Sequence, residues 1–204
     1  MKKIKFIIPL FLFITIFSFA VSAANVTYVV VSGDSMWKIA VKYQVGISEI
    51  LNLNPQIKNA AVINIGDRIV IPDLSSVKTL ENEVVRLVNI QRANNGLGAL
   101  VQDWQFSRMA RIKSADMIKF NYFSHTSPTY GTPFQMMTAF GFKYTAAGEN
   151  IAYGQSTPAA VMQAWMNSAG HRANILSPNY KVIGVGAAKN TSGQIYWTQE
   201  FLSR

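Results

Sequence analysis

The segment that decides the fold is Asn167-Ser168-Ala169-Gly170-His171-Arg172-Ala173-Asn174-Ile175-Leu176. An apolar helix is predicted to lead into it, because Thr157 can cap the first free amides and Pro158 suits the first helical position. Gly170 is predicted to end that helix, since glycine takes the left-handed conformation without a Cβ penalty. His171 would then lie just past a helix C-terminus, where the helix dipole favours a protonated imidazole.

Two further polar segments belong with this one. The only other histidine is His125, in Asn121-Tyr122-Phe123-Ser124-His125-Thr126-Ser127-Pro128, and Gly148-Glu149-Asn150-Ile151-Ala152 lies between the two histidines. Two imidazoles and a carboxylate are the ligand set of several metal sites, zinc above all. The sequence therefore offers His125, Glu149 and His171 as one candidate polar site.

These three segments, in this order, resemble the CAP superfamily, which comprises cysteine-rich secretory proteins, antigen 5 and pathogenesis-related 1 proteins. The resemblance covers roughly residues 79–204, and Ile195-Tyr196-Trp197-Thr198-Gln199-Glu200-Phe201 is similar to the last strand of that family. It implies an α/β/α sandwich, which also follows from helices flanking a small antiparallel sheet, so the predicted fold class is α+β.

The same resemblance implies a cleft lined by two histidines and two acidic residues. His125, Glu149 and His171 match three of them, whereas the second acid, expected three residues after Trp165, is Ser168. Because serine is a poor metal ligand, we expect no required cofactor and at most a weakly bound zinc ion. A structural alternative is that His171 and Glu149 bond each other and pin a helix to the sheet.

The amino-acid composition excludes several kinds of catalytic site. The chain has no cysteine, which excludes disulfides and a thiol nucleophile. It has no Gly-x-Ser-x-Gly turn, and serines that neighbour a histidine along the chain do not make a triad. The formal charge of +9 falls to about +6 once three N-terminal lysines are removed. Anionic wall polymers or a membrane surface fit this charge, no nucleic-acid motif is present, and the favoured interpretation is a merely solvated basic surface.

The N-terminus has the pattern of a secretory signal peptide. Lys2, Lys3 and Lys5 precede an apolar run, and small residues follow at Val21-Ser22-Ala23. We therefore predict a signal peptide over residues 1–24, cleavage rather than retention as an anchor, and no stable membrane insertion.

Residues 26–72 are predicted to form a separate βααβ module. Val26 to Val31 has strand composition, and Asp34 or Ser35 can cap a helix. A second helix is predicted to be capped by Ser48, and a closing strand ends at Pro72. The spacing predicts that Trp37 lies in the core of this module.

The module resembles a LysM domain in Tyr28 to Ala40, in Leu51-Asn52-Leu53-Asn54-Pro55 and in Ile65 to Pro72. The resemblance implies a groove for peptidoglycan or another N-acetylglucosamine-containing glycan. The glycan-binding residues it implies are Gly33, Asp34, Ser35 and Met36 on one wall and Asn54, Pro55 and Ile57 on the other. The alternative for Asp34 is a helix cap, and for Met36 a place in the core.

A short polar linker is predicted over residues 73–78, followed by a CAP domain over residues 79–204. Its helices are predicted to begin at Thr79, Asp103 and Thr132, with strands over 182–188 and 194–202. Gly184 and Gly186 share one face of the first strand, which allows a neighbour to pack closely.

Three functions remain compatible with the sequence, all of them secreted and associated with the cell wall or a spore envelope. The first and favoured one is a wall-bound protein whose cleft binds a ligand or partner without turnover. The second is a hydrolase that uses the His/Glu cleft. The third is a structural protein of a spore or cell-envelope layer.

Overall fold

The computed structural model describes residues 25–204, so the predicted signal peptide lies outside the described residues. The first unit consists of β1 (Val26–Val29), α1 (Met36–Tyr43), α2 (Ile47–Leu53) and β2 (Arg68–Ile71). β1 and β2 pair antiparallel, with Val26 opposite Ile71. Ser35 caps α1 as predicted, because its hydroxyl accepts from the Lys38 amide. Ser48 is not the cap of α2, which begins directly after Gly46.

The predicted linker is mostly helical. α3 (Ser75–Asn94) starts four residues before the predicted position, so only Asp73 and Leu74 separate it from Pro72. Asp73 stabilises this earlier start, since its carboxylate accepts from the amide of Ser75. The prediction of a polar joint over residues 73–78 is therefore wrong.

The larger unit is organised around a four-stranded sheet. Its strands are β3 (Val101–Gln102), β4 (Ala146–Tyr153), β5 (Val182–Lys189) and β6 (Ile195–Ser203), in the order β3-β5-β6-β4. β6 pairs antiparallel with both β4 and β5, while β3 runs parallel to β5. β4 is thus an edge strand, and it carries the Glu149 segment.

Helices cover both faces of the sheet. They are α3 and, further along the chain, α4 (Trp104–Lys119), α5 (Pro133–Ala139), α6 (Pro158–Asn167) and α7 (Ala169–Ile175). α3, α6 and α7 pack on the face that carries Trp197 and Phe201, and α4 and α5 pack on the face that carries Leu202. This confirms the α/β/α sandwich and the α+β class.

Glycines bring α4 unusually close to the sheet. A Cβ on Gly184 or Gly186 would collide with the backbone of α4, at Phe106 and at Ala110 to Arg111 respectively. The close neighbour predicted for these glycines is therefore α4, and the approach positions the next turns of α4 beneath the cleft.

The boundary between α6 and α7 also differs from the prediction. α6 ends at Asn167, and Ser168, in extended conformation, separates it from α7. Gly170 does not end a helix, because it lies in the first turn of α7. His171 is therefore near a helix N-terminus, where the dipole disfavours a protonated imidazole. In the described part of the chain, none of the helices combines the length and apolar character needed to cross a bilayer.

Candidate functional site: a histidine–glutamate cleft and a LysM groove

The loop that carries His125 is anchored to α4 by Asp116. The two carboxylate oxygens of Asp116 accept hydrogen bonds from the hydroxyls of Tyr122 at 2.6 Å, Ser127 at 2.7 Å and Thr129 at 2.7 Å. Burial works against the charge of Asp116, but these three donors lower its pKa below the ordinary value. A carboxylate with three donors holds both ends of the loop in place.

Lys113, one turn earlier on α4, supports the centre of the same loop. Its side chain is buried, and its Nζ donates to the backbone carbonyl of His125 at 2.7 Å. Burial lowers the pKa of Lys113, while the carboxylates of Glu149, Glu200 and Asp116 act in the opposite direction. The ammonium group therefore lies beneath the cleft and compensates part of its negative charge.

His125 and Glu149 are in direct contact. Nδ1 of His125 lies 2.6 Å from Oε1 of Glu149, and the exposed fractions of the two side chains are 54% and 2%. An ionised carboxylate can only accept, so Nδ1 is the donor and Nε2 is directed away from the pair. Glu149 thereby fixes the tautomer of an imidazole whose other nitrogen is available to a ligand.

A second buried carboxyl lies next to Glu149. Glu200 of β6 is the cross-strand partner of Glu149 on β4, and its side chain is fully buried. Within residues 25–204, neither Oε2 of Glu149 nor either oxygen of Glu200 has a hydrogen-bond donor if both groups are ionised. Burial and the charge of Glu149 raise the pKa of Glu200 well above its ordinary value. Glu200 therefore keeps its proton and donates it to Glu149, because two like charges directly opposite in a sheet repel.

His171 reaches the same edge of the sheet from α7. Burial, and to a smaller extent the proximity of His125, lower the pKa of His171, so its imidazole is neutral at neutral pH. It lines an open cavity of about 270 Å³ together with Ser168, Phe123 and Tyr153. The expectation of a protonated imidazole at a helix C-terminus is wrong on both position and charge.

Two asparagines fix α7 against β4. Nδ2 of Asn150 donates to the carbonyl of His171, and Nδ2 of Asn174 donates to Oδ1 of Asn150 and to the carbonyl of Glu149. The alternative in which His171 and Glu149 bond each other is not observed, because Glu149 pairs with His125. The helix is pinned to the sheet by amides.

Aromatic side chains form the rim of this cleft. Phe123 and Tyr153 are about half exposed and pack with ring centroids 4.8 Å apart, and Tyr153 stacks on Tyr196 at 5.5 Å. An exposed aromatic surface in the cavity of a neutral imidazole, here that of His171, is suited to an apolar or sugar ring.

The donor set does not fit a closed metal site. Across residues 25–204, no group of three or more histidine or acidic side chains is arranged to hold a metal ion. Nδ1 of His125 is already paired with Glu149, and Glu200 is buried beneath it. A zinc ion would therefore find one or two imidazole nitrogens rather than the three or four ligands it prefers.

In the LysM module, the first predicted wall is a capping turn. Gly33 has a φ of +85°, and its carbonyl accepts from Nζ of Lys38. Asp34 accepts from the amide of Val31 and the hydroxyl of Tyr28, which lowers the pKa of its carboxyl. Asp34 and Ser35 thus organise the turn with their own side chains, and the backbone of Gly33 stays exposed.

Two predicted glycan contacts are in the interior. Met36 is 2% exposed and belongs to the module core, which is the alternative considered for it. Asn54 is fully buried and joins α2 to β2, because its amide bonds the carbonyl of Ile50 and both backbone groups of Val70. Pro55 is exposed, and Ile57 lines a surface groove of about 530 Å³.

Trp37 is not in the core. Its side chain is 56% exposed, whereas Ile39 and Ala40 on the same helix are buried. The apolar spacing of α1 predicted an inward tryptophan, but the surface that Trp37 faces belongs to the larger domain.

Five residues that support the cleft were not predicted from the sequence: Lys113, Asp116, Glu200, Asn150 and Asn174. The signal for the first two was present, because Lys113 and Asp116 interrupt the inward face of α4 between Met109 and Met117. A charged residue on an apolar helix face has a buried partner. The contact between Glu200 and Glu149 could not be predicted in this way, because it depends on the register between β4 and β6.

Comparison with known proteins agrees with this geometry. The family model of CAP, the cysteine-rich secretory protein family, matches residues 85–201. The chain belongs to the CAP family. A LysM domain matches residues 28–72, so the two-domain architecture predicted from the sequence is confirmed.

Two curated relatives from Bacillus subtilis (strain 168) are similar to somewhat less than two thirds of the chain. The uncharacterized protein YkwD is 55% identical over 130 residues, which are 64% of this chain and 49% of YkwD. The uncharacterized membrane protein YlbC is 36% identical over 126 residues, which are 62% of this chain and 35% of YlbC. The chain thus spans about half or less of the length of these relatives.

Solved structures share the fold. An extracellular protein containing an SCP domain from Bacillus anthracis has a TM-score of 0.59 and 32% identity, over 68% of this chain and 47% of that one. An outer surface protein from Borrelia burgdorferi has a TM-score of 0.58 at 20% identity, over 65% of this chain and 96% of that one. The second likeness concerns the fold alone.

Proposed function

We propose that this is an exported, cell-wall-associated protein that binds peptidoglycan, or another N-acetylglucosamine-containing glycan, through its LysM module. Its CAP domain binds a ligand or partner in the cleft of His125, Glu149 and His171 without turnover. The location is the cell wall or a spore envelope. Support for export comes from the N-terminal signal pattern and from the likeness to an extracellular SCP-domain protein.

The observation that carries the binding role is the burial of both cleft carboxyls. Glycoside hydrolysis uses two carboxyl groups that flank the bond, separated by roughly 5–9.5 Å, and both must reach the substrate. Here Glu149 is 2% exposed, and Glu200 is fully buried directly opposite it in the sheet. Neither can approach a glycosidic oxygen, so the pair orients His125 instead of supplying an acid and a base.

The exposed groups of the cleft favour recognition. His125 offers one oriented nitrogen, and the exposed rings of Phe123 and Tyr153, tilted against each other, offer apolar surface in the cavity that His171 lines. These elements bind a ring through stacking and one hydrogen bond. The ligand class that suits them is a molecule with a ring and a polar substituent at its edge.

Sedimentation with insoluble peptidoglycan tests the anchoring role. The chain from Asn25 should pellet with purified peptidoglycan, whereas a chain starting at Ser75, which keeps the whole of α3, should stay mostly in solution. High salt should reduce only the charge-driven part of the binding. Equal sedimentation of both chains would contradict the assignment of anchoring to the LysM module.

A variant of the cleft provides the matched control. His125→Ala removes the exposed imidazole without touching the module, so wall binding should be unchanged. If His125→Ala abolishes sedimentation, the anchor lies in the CAP domain.

A further inference from the structure

A cavity of about 850 Å³ lies between the two domains, apart from both sites described above. One wall comes from α1 and the start of α2, and the other from the start of α4, the segment from Phe140 to Thr145 and the C-terminal Arg204. It is larger than the groove at Ile57 and the cavity at His171.

Direct contacts fix these two walls relative to each other. Nε of Arg108 on α4 donates to Oε1 of Glu49 on α2 at 2.9 Å, and Nζ of Lys78 on α3 donates to the carbonyl of Tyr43 at 2.7 Å. The guanidinium of Arg108 also packs against Gly46 so closely that a Cβ there would collide with it. The cavity is therefore a feature of the fold and needs no closing motion to form.

Its walls are aromatic. Trp37 projects from the module and is 56% exposed, and Trp104 at the start of α4 is half-buried on the other side. Phe140 and Tyr144 add two more rings to the CAP wall. Indole rings that line an open cleft in this way present flat, amphipathic surfaces on which a sugar ring can stack.

Within residues 25–204, the charged side chains that line the cavity are all basic, namely Arg108, Lys143 and Arg204. Arg108 is paired with Glu49 and Arg204 with Asp103, whereas Lys143 is exposed and has no ion pair within the described residues. A cleft with cations of this kind attracts an anionic ligand.

We propose that this interdomain cleft binds an acidic glycan strand, that is, a β-linked N-acetylhexosamine chain that bears carboxylates. The sugar rings stack on Trp37 and Trp104, and a carboxylate meets Lys143. The proposal rests on the proposed function, since it names where and in what form the wall glycan is held. It makes the glycan a ligand of both domains at once.

Isothermal titration of the full chain, from Asn25, with a soluble carboxylate-bearing peptidoglycan fragment tests this. Trp37→Ala should raise the Kd by about tenfold, and Lys143→Gln by about threefold to fivefold. Lys119→Gln, which removes an exposed lysine outside the cavity, is the charge-matched control and should leave the Kd unchanged. Chitohexaose, a neutral strand of the same sugar class, should lose affinity with Trp37→Ala but not with Lys143→Gln.

Two outcomes would overturn the proposal. If wild-type protein binds the fragment and neither Trp37→Ala nor Lys143→Gln changes the Kd, the glycan is held elsewhere on the module, and the anchoring function stands. If a glycerol-phosphate polymer binds more tightly than the glycan and is insensitive to Trp37→Ala, the cleft is a phosphate site and stacking has no part in it. Failure of the wild-type protein to bind any wall material would instead remove the proposed function itself.

Discussion

The buried carboxyl of Glu200 should make the stability of the CAP domain depend on pH. Burial and the charge of Glu149 raise the pKa of Glu200 well above its ordinary value, whereas in the unfolded chain this group ionises near about 4.3. The folded state therefore holds a proton that the unfolded state has released. The free energy of unfolding must fall as pH rises above the unfolded pKa, until the folded pKa is reached.

Replacement of Glu200 by Gln removes this dependence. One proton of difference corresponds to a slope of about 1.4 kcal/mol per pH unit. Between pH 5 and pH 7, Glu200→Gln should therefore gain up to about 2.7 kcal/mol of unfolding free energy relative to wild type. The amide has the shape of the carboxyl and can donate to Oε2 of Glu149 in place of the shared proton.

Urea unfolding at pH 5, 6 and 7 measures this gap. Near-ultraviolet circular dichroism follows the CAP domain through the buried Trp165 and Trp197. Glu83→Gln is the control. Glu83 is a more exposed carboxylate that pairs with Arg86, and this pairing lowers the pKa of Glu83. The difference in unfolding free energy between wild type and Glu83→Gln should therefore not grow with pH. A gap between wild type and Glu200→Gln that stays constant from pH 5 to pH 7, or that reverses, would show that Glu200 is ionised in the folded protein.

Three other predictions follow from single contacts. Gly186→Ala should destabilise the CAP domain by about 2–4 kcal/mol, because the added Cβ would collide with the backbone of α4. The control is Gly98→Ala, whose Cβ would contact no neighbouring atom and should be tolerated; thermal unfolding measures both variants. Asn54→Ala should destabilise the LysM module by about 2–4 kcal/mol through the loss of its buried backbone hydrogen bonds, and the exposed Asn52→Ala should not; urea unfolding of the two variants decides this. Zinc titrated calorimetrically at neutral pH should bind weakly and through His171, whose lowered pKa keeps the imidazole neutral to a lower pH than usual. Nanomolar affinity, or affinity unchanged by His171→Ala, would contradict that assignment.

Local signals in the sequence were sufficient for most of the fold. Asp103 caps α4, and Thr132 with Pro133 begins α5, as their side-chain chemistry predicts. The prediction that Gly170 ends a helix was wrong, because a glycine also fits the first turn of a helix. The helix instead ends two residues earlier, where the backbone of Ser168 is extended. A cap can be predicted from a few neighbouring residues, but the choice between a stop and a new start depends on what the next helix packs against.

The parts of the site that depend on tertiary contacts were beyond local reasoning. Glu200 lies in a strand of buried residues, and its role appears only once β4 and β6 are in register. Trp37 has the spacing of a core residue, yet it faces the other domain. The resemblance to the CAP family supplied His125, Glu149 and His171, but it placed the second acid at position 168, between α6 and α7, whereas the acid beside Glu149 is Glu200 on β6.

The most direct test of the account measures retention and turnover in the same sample. Wild-type protein from Asn25 is incubated with purified insoluble peptidoglycan, the pellet is assayed for bound protein, and the supernatant is assayed for released muropeptides and new reducing ends. We predict saturable binding, with no release above that of a sample without protein, because the two cleft carboxyls are buried against each other. Soluble fragments that accumulate with time, and that disappear with His125→Ala, would contradict binding without turnover and assign hydrolysis to the cleft.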